Sequence, residues 1–127
     1  MISDKINNGL NGNPIIPGDK SISHRSIIIP SISNGICEVK NFLKSDDVLN
    51  TLKALTLMGV KVEEKNNTLL IYGKGLNSLK KPNKEIYLGN SGTSARLLTG
   101  LLSSQNFNST LTGDSSLSSR PMGRISK

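Results

Sequence analysis

Three short segments of this 127-residue sequence carry glycine, asparagine or aspartate, serine and arginine at matching positions. The shared pattern, Gly-[Asp/Asn]-x-[Ser/Gly]-x-Ser-x-Arg, occurs at 18–25, 89–96 and 113–120. Small residues let an anion reach the unpaired N–H groups at a helix start, where the helix dipole attracts negative charge. The hydroxyls add donors, and an arginine about one turn further on can fork onto a phosphate or a carboxylate. The pattern therefore indicates binding of anionic groups.

Any one of these segments is also compatible with an ordinary helix start followed by a solvated arginine. Three copies with the same arginine offset favour anion binding over that interpretation. The copies begin at 18, 89 and 113, and this unequal spacing argues against a solenoid repeat.

Other chemistries find little support among the residues. His24 is the only histidine and has no Cys, His or acidic neighbour at metal-ligand spacing, which argues against a zinc site. Cys37, the only cysteine, lies in an apolar stretch and is interpreted as a small buried residue. Asp46-Asp47 suits either a general acid/base pair or the first turn of a helix, and the helix role is favoured.

The charge balance also points to an anionic partner. Sixteen Lys and Arg against nine Asp and Glu give a net charge of +7. Nucleic acid is disfavoured because the basic residues are scattered and the few aromatic residues do not alternate with them. No segment reaches the ~20 apolar residues of a membrane span or resembles a signal peptide, so we expect a cytoplasmic protein that does not bind membranes.

The hydrophobic periodicity and turn residues predict an α/β fold with hairpins. Residues 1–13 are expected to be a flexible start, and 14–127 an incomplete N-terminal domain truncated at Lys127, where a further helix should begin. Pro30 is expected to end or kink the first helix near Ile29. The predicted elements are an extended segment at 15–16, helices at 21–29, 46–58 and 93–103, and strands at 35–41, 60–64, 68–72, 85–88 and 109–112.

Five motifs in the same order resemble the 5-enolpyruvylshikimate-3-phosphate synthase family (3-phosphoshikimate 1-carboxyvinyltransferases). The resemblance runs from about Pro14 to Lys127 and implies an N-terminal fragment. It implies part of an enolpyruvyl transferase domain, an inside-out α/β barrel built of βαβαββ units. The motifs are 17–25, 45–47, 89–93 with Arg96, Gly113-Asp114 and Arg120-Pro121-Met122.

The resemblance also implies an activity and its partners. The family transfers the enolpyruvyl group of phosphoenolpyruvate to the 5-hydroxyl of shikimate 3-phosphate and releases phosphate, on the route to chorismate and the aromatic amino acids. It uses neither metal nor organic cofactor, and its members are usually monomeric. The family's chains are roughly three times longer and keep their proton-transfer residues in the part absent here, so this fragment alone should be inactive. A basic phosphate- or nucleic-acid-binding module without catalysis is the alternative.

The family's motifs assign roles to seven residues of this sequence. Lys20 corresponds to a catalytic lysine that contacts both substrates, while Ser21 and Arg25 correspond to residues that bind shikimate 3-phosphate. The remaining four are implied at the phosphoenolpyruvate site: Asn90, Gly92, Arg96 and Arg120.

Overall fold

The computed structural model describes residue 9, residues 11–123 and residue 125. Most of the flexible start predicted at 1–13 lies outside these residues. The chain contains four α-helices, five strands and one 3₁₀ turn within the described part. In chain order they are α1 Lys20–Ser31, β1 Asn34–Lys40, α2 Asp46–Leu57, β2 Lys61–Lys65, β3 Thr68–Lys74, the 3₁₀ turn Leu76–Ser78, β4 Ile86–Tyr87, α3 Gly92–Leu102, β5 Leu111–Thr112 and α4 Ser115–Ser118.

The strands form two sheets of different type. An antiparallel sheet has the order β1-β3-β2, and β4 pairs with β5 in parallel. Asn66 and Asn67 join β2 to β3 with φ of 49° and 60°, which is the type I′ geometry that matches the twist of a hairpin. The predicted hairpin is therefore confirmed, and so is the mixed α/β class. The order α1-β1-α2-β2-β3 is a βαβαββ unit without its first strand, and β4-α3-β5-α4 follows the same alternation.

One hydrophobic core runs from the antiparallel sheet to α3. Ile27 of α1, Leu55 of α2 and Ile71 of β3 are completely buried where the first two helices pack on the sheet. Leu88 and Leu98 continue this core on the other side of α2. Helix α2 thus lies between α1 and α3, and it fixes the distance between them.

Helix α1 ends later than predicted. Pro30 lies inside the helix, which continues to Ser31. A proline in the last turn removes only one helical hydrogen bond, and the nearby hydroxyls satisfy other carbonyls of that turn. Ser31 Oγ donates to the Ile27 carbonyl at 2.7 Å, and Ser33 Oγ donates to the Ile29 carbonyl at 2.8 Å.

Three further details concern the ends of the predicted elements. The segment predicted to be extended at 15–16 belongs to no helix or strand of the described structure, and Ile15 and Ile16 are 97% and 74% exposed. Ser45 is the N-cap of α2 by position, but its side chain accepts no backbone N–H. The short helix α4 precedes the point near Lys127 where a further helix was expected to begin, and that point lies outside the described residues.

Gly73 on β3 generates a stability prediction. A Cβ at this position would overlap the carbonyl oxygens of Pro30 and Ser33, where the end of α1 crosses the sheet. We expect Gly73→Ala to lower the free energy of unfolding by about 2 kcal/mol or more, because backbone atoms cannot move aside cheaply. The control is Gly100→Ala on α3, where a Cβ meets nothing within 4 Å. It should stabilise the helix by about 0.5–1 kcal/mol. Thermal unfolding of both variants measures this, and equal melting temperatures would contradict it.

Candidate functional site

The three repeated segments all begin helices, and each helix is capped by a side chain of its segment. Asp19 Oδ1 accepts the Ile22 N–H at 2.7 Å, and Asp114 Oδ1 accepts the Leu117 N–H at 2.7 Å. In the middle segment the cap is Ser91, whose Oγ accepts the Ser94 N–H at 3.2 Å. The middle helix therefore starts one position later relative to the shared pattern.

The starts and lengths of the helices give the three arginines different positions despite their common offset in the sequence. Arg25 is the sixth residue of α1, Arg96 is the fifth residue of α3, and Arg120 lies beyond the end of α4. Alignment of the segments therefore does not predict a common geometry for the three arginines.

Arg96 and Arg120 converge on Gly92, the first residue of α3. An ideal Cβ built on Gly92 would lie 2.8 Å from Nη1 of each arginine. Arg96 Nη1 also donates to the Gly92 carbonyl at 3.2 Å, and Arg120 Nη2 donates to Asn90 Oδ1. Four of the seven predicted site residues are therefore brought together at the start of α3.

The other three predicted residues lie at the start of α1. Lys20 Nζ lies 3.1 Å from Asp47 Oδ2, in an ion pair that joins α1 to α2. Ser21 and Arg25 are exposed, and neither side chain has a hydrogen-bond partner in the described part of the chain. Of the two acidic residues whose role was left open, Asp47 thus contacts a predicted site residue, while both still lie in the first turn of α2.

A row of buried polar side chains connects the three helices beneath these cations. His24 Nδ1 lies 2.8 Å from Thr51 Oγ1, which lies 2.6 Å from Ser94 Oγ. Ser94 Oγ lies 2.6 Å from Ser91 Oγ and donates to the Asp47 carbonyl at 3.2 Å. The four residues whose side chains form this row are completely buried. We call His24, Thr51, Ser94 and Ser91 the buried polar row.

Comparison with known proteins identifies the family of the chain. A sequence model of the family described as EPSP synthase (3-phosphoshikimate 1-carboxyvinyltransferase) matches residues 5–127. This chain belongs to the EPSP synthase family. The match begins earlier than the resemblance at Pro14, and it covers nearly the whole sequence.

Relatives named 3-phosphoshikimate 1-carboxyvinyltransferase are similar over the same region. One from Ruthia magnifica is 54% identical over 95% of this chain and 28% of its own length. One from Oenococcus oeni is 54% identical over 92% of this chain and 27% of its own length. The solved EPSP synthase from Acinetobacter baumannii has a TM-score of 0.84 and 52% identity over 89% of this chain and 26% of that one. The chain thus spans about a quarter of these EPSP synthases, and its fold matches theirs.

Two glycines allow the close approaches that shape this part of the EPSP synthase fold. A Cβ on Gly18 would overlap the carbonyl oxygen of Asn41, so the loop before α1 contacts the loop after β1 directly. Gly89 has a φ of 58°, and a Cβ there would lie 2.7 Å from Asn50 Nδ2. The Gly89 carbonyl also accepts the Asp114 N–H at 3.0 Å, which joins the second and third segments.

The serines shared by the segments do not face the anion site as expected. Ser23 is 3% exposed, and its Oγ donates to the Asp19 carbonyl at 2.7 Å and accepts the Leu43 N–H at 2.9 Å. Ser94 is completely buried in the buried polar row. Ser23 and Ser94 therefore do not add donors for an anion, because both point into the protein and satisfy internal groups, whereas Ser118 at the same position of the third segment is exposed.

A large concave surface of the described chain lies elsewhere. It encloses ≈ 990 Å³ between α2 and the segment around 80–87, and Lys53, Lys80 and Lys84 are among its lining residues. It contains none of the seven predicted site residues, so its size does not identify it with the anion site. No helix in the described residues combines the length and apolar character needed to cross a membrane.

Sequence reasoning missed Thr51 and Ser94 as members of the site's supporting structure. Thr51 looks like an ordinary polar position of an amphipathic helix, and no local signal places it opposite His24. Ser94 carried a usable signal, since it occupies the invariant serine position of the repeated pattern. A serine at that position is better interpreted as a buried residue that fixes the helix start than as a residue that binds an anion.

Burial lowers the pKa of His24 below its ordinary value of 6.5. The Asp47 carboxylate opposes this shift and the Lys20 ammonium adds to it. As pH falls below 6.5, the unfolded chain therefore takes up a proton before the folded protein does. The neutral state of His24 therefore contributes to the free energy of unfolding. This contribution is fully present above pH 6.5 and is lost as the pH falls toward the lowered pKa of the folded state.

We therefore predict that His24→Asn reduces the pH dependence of stability. The asparagine amide reaches about as far as Nδ1 and does not titrate in this range. Between about pH 7.5 and about pH 5.5 the melting temperature of the unchanged protein should fall further than that of the variant. Carboxylates titrate equally in both proteins, so the difference between the two curves isolates His24. Parallel curves would contradict the prediction.

Proposed function

We propose that this segment forms part of the active site of an enolpyruvyl transferase. The complete enzyme would transfer the enolpyruvyl group of phosphoenolpyruvate to the 5-hydroxyl of shikimate 3-phosphate and release phosphate. The observation that carries the proposal is the convergence of Arg96 and Arg120 on Gly92, in a chain of the EPSP synthase family. Because the chain spans about a quarter of its relatives, the proposal concerns the longer enzyme that contains this segment.

Phosphoenolpyruvate would bind at the start of α3. It carries a phosphate and a carboxylate, and two guanidinium groups can each fork onto one of these anions. Asn90 Oδ1 and Ser116 Oγ, the latter at 3.5 Å, accept from Nη2 of Arg120. These contacts orient the guanidinium and leave Nη1, the atom closest to Gly92, free to donate to a ligand. The missing side chain of Gly92 provides the room that the ligand needs.

Shikimate 3-phosphate would bind at the start of α1, on the exposed side chains of Ser21 and Arg25. Asp47 links Lys20 to the second group of residues, since its carboxylate pairs with Lys20 and its carbonyl accepts a hydrogen bond from Ser94 of α3. An ammonium group in this place would stabilise negative charge on either substrate. Its ion pair with Asp47 holds the side chain of Lys20 toward α2.

The contribution of these residues to catalysis would be positioning and electrostatic stabilisation. Arginine and lysine neutralise two phosphates and two carboxylates, so that two anionic substrates can approach each other. The reaction forms a bond between the 5-hydroxyl oxygen and C2 of phosphoenolpyruvate, and the bond from C2 to the phosphate oxygen breaks. The hydroxyl proton is lost, and in the net reaction it leaves with the released phosphate. We also propose that the enzyme acts in the cytoplasm as a monomer, on small metabolites and not on nucleic acid, without metal or organic cofactor.

The proposal is tested in a chimera in which residues 5–127 replace the matching segment of the 54%-identical Ruthia relative. Lys20→Ala should reduce phosphate release from the two substrates by about 100-fold or more, because a cation between two anions is lost. Lys20→Arg should restore little, since a planar fork does not replace a compact point charge. Lys65→Ala, at an exposed lysine of β2, is the matched control and should leave turnover unchanged. Unchanged kinetics in Lys20→Ala would remove Lys20 from the site.

A second prediction concerns the shape of the phosphoenolpyruvate site. Gly92 is the first residue of α3 and does not have the positive φ found at Gly89, so alanine fits its backbone. The added Cβ would displace the two arginine tips and occupy ligand space. In the chimera, Gly92→Ala should raise the phosphoenolpyruvate KM by about tenfold. It should leave the shikimate 3-phosphate KM within about twofold and the melting temperature nearly unchanged.

Gly100→Ala on the same helix is the control for Gly92→Ala, because it adds the same group where the space is open. Equal weakening of both substrates together with a lower melting temperature would show that Gly92 serves only the backbone. That outcome would remove the phosphoenolpyruvate site from the start of α3.

A further inference from the structure

The buried polar row crosses all three helices that carry the proposed site. His24 belongs to α1, Thr51 to α2, and Ser94 to α3, and Ser91 caps α3. The contacts between His24 and Thr51 and between Thr51 and Ser94 are 2.8 and 2.6 Å long. A continuous series of hydrogen bonds therefore joins the helix with the proposed shikimate 3-phosphate residues to the helix with the proposed phosphoenolpyruvate residues.

The hydroxyls of this row all have acceptors within reach. Ser94 has one hydroxyl hydrogen, and both Thr51 Oγ1 at 2.6 Å and the Asp47 carbonyl at 3.2 Å can accept it. Thr51 Oγ1 lies 2.8 Å from His24 Nδ1 and 3.4 Å from the same carbonyl. With the Asp47 carbonyl as an extra acceptor, every hydroxyl hydrogen has a partner whichever ring nitrogen of His24 carries the hydrogen. The second ring nitrogen, Nε2, is buried without a partner in the described part of the chain, so Thr51 is the residue that ties the ring to the row.

Thr51 is the central member of the row. Its hydroxyl is the only hydrogen-bond partner of the His24 ring among the described residues, through Nδ1. The same hydroxyl also contacts Ser94. Loss of its hydroxyl would leave both His24 and Ser94 buried with fewer partners, and such groups are costly to leave unsatisfied. Because hydrogen bonds are directional, the row specifies how α1, α2 and α3 are placed against one another more narrowly than apolar packing does.

We propose that Thr51, together with His24 and Ser94, is a positioning residue that sets the distance between the two substrate sites. The inference rests on the proposed function. The row does not touch either substrate, and it acts by holding Lys20 and Arg25 of α1 in register with Gly92 and Arg96 of α3. Binding of one substrate to α1 alone does not require this register, whereas binding of phosphoenolpyruvate beside shikimate 3-phosphate does.

The test compares Thr51→Val, which keeps the shape and removes the hydroxyl, with Thr51→Ser, which keeps the hydroxyl and removes a methyl group. In the chimera, Thr51→Val should raise the phosphoenolpyruvate KM by about tenfold at saturating shikimate 3-phosphate. The dissociation constant of shikimate 3-phosphate alone, measured by calorimetry, should stay within about twofold. Thr51→Ser should stay within about twofold of the unchanged chimera in both quantities, even if its melting temperature falls.

Two further variants keep the test decisive. Ser94→Ala removes a smaller group and should show the same split between the two substrates, so it replaces Thr51→Val if that variant does not fold. Thr56→Val on the same helix is the control, since Thr56 is exposed and donates only to the Leu52 carbonyl of its own helix. It should change neither constant.

The outcomes separate failure of this inference from failure of the proposed function. A phosphoenolpyruvate KM within about twofold in both Thr51→Val and Ser94→Ala would overturn the inference, and so would equal effects of Thr51→Val and Thr51→Ser. Equal weakening of both substrates would also overturn it, because that reports general loosening of the fold. Failure of the proposed function is recognised independently, by a chimera whose turnover is insensitive to Lys20→Ala.

Discussion

The first turn of α2 is the point on which the rest of the proposed site depends. The Asp47 carboxylate pairs with Lys20 of α1, and the Asp47 carbonyl accepts the Ser94 hydroxyl of α3. Both contacts come from one residue, so the ends of two other helices are placed relative to a single position. The start of α2 in turn cannot shift, because Val48 and Leu55 anchor the helix in the core. Packing thus fixes α2, and α2 fixes the cations.

This arrangement has an electrostatic cost that explains why an anion should bind here. The positive ends of α1 and α3 lie near Lys20, Arg96 and Arg120, and like charges and dipoles of the same sign repel. Asp19 and Asp47 offset part of this repulsion, since one caps α1 and the other pairs with Lys20. The two arginine tips at Gly92 have no carboxylate partner in the described residues, so an anionic ligand would supply the missing charge.

Local signals predicted those parts of the structure that local chemistry determines. The hairpin at Asn66-Asn67 and the helix with acidic residues in its first turn follow from turn propensity and periodicity, and both were found as expected. The direction in which Ser94 points was not predictable, because it depends on Thr51, 43 residues earlier in the chain.

The neutrality of the buried polar row is what makes the site possible at this position. A charged group beneath the helix starts would need desolvation, and an imidazolium at His24 would add one more cation beside Lys20. Hydroxyls and a neutral imidazole satisfy one another while they add no net charge. The connection between α1 and α3 is therefore polar enough to be directional, yet it does not compete for the ligand's negative charge. The positive charge of the proposed site is thus left on its cationic side chains and on the helix starts.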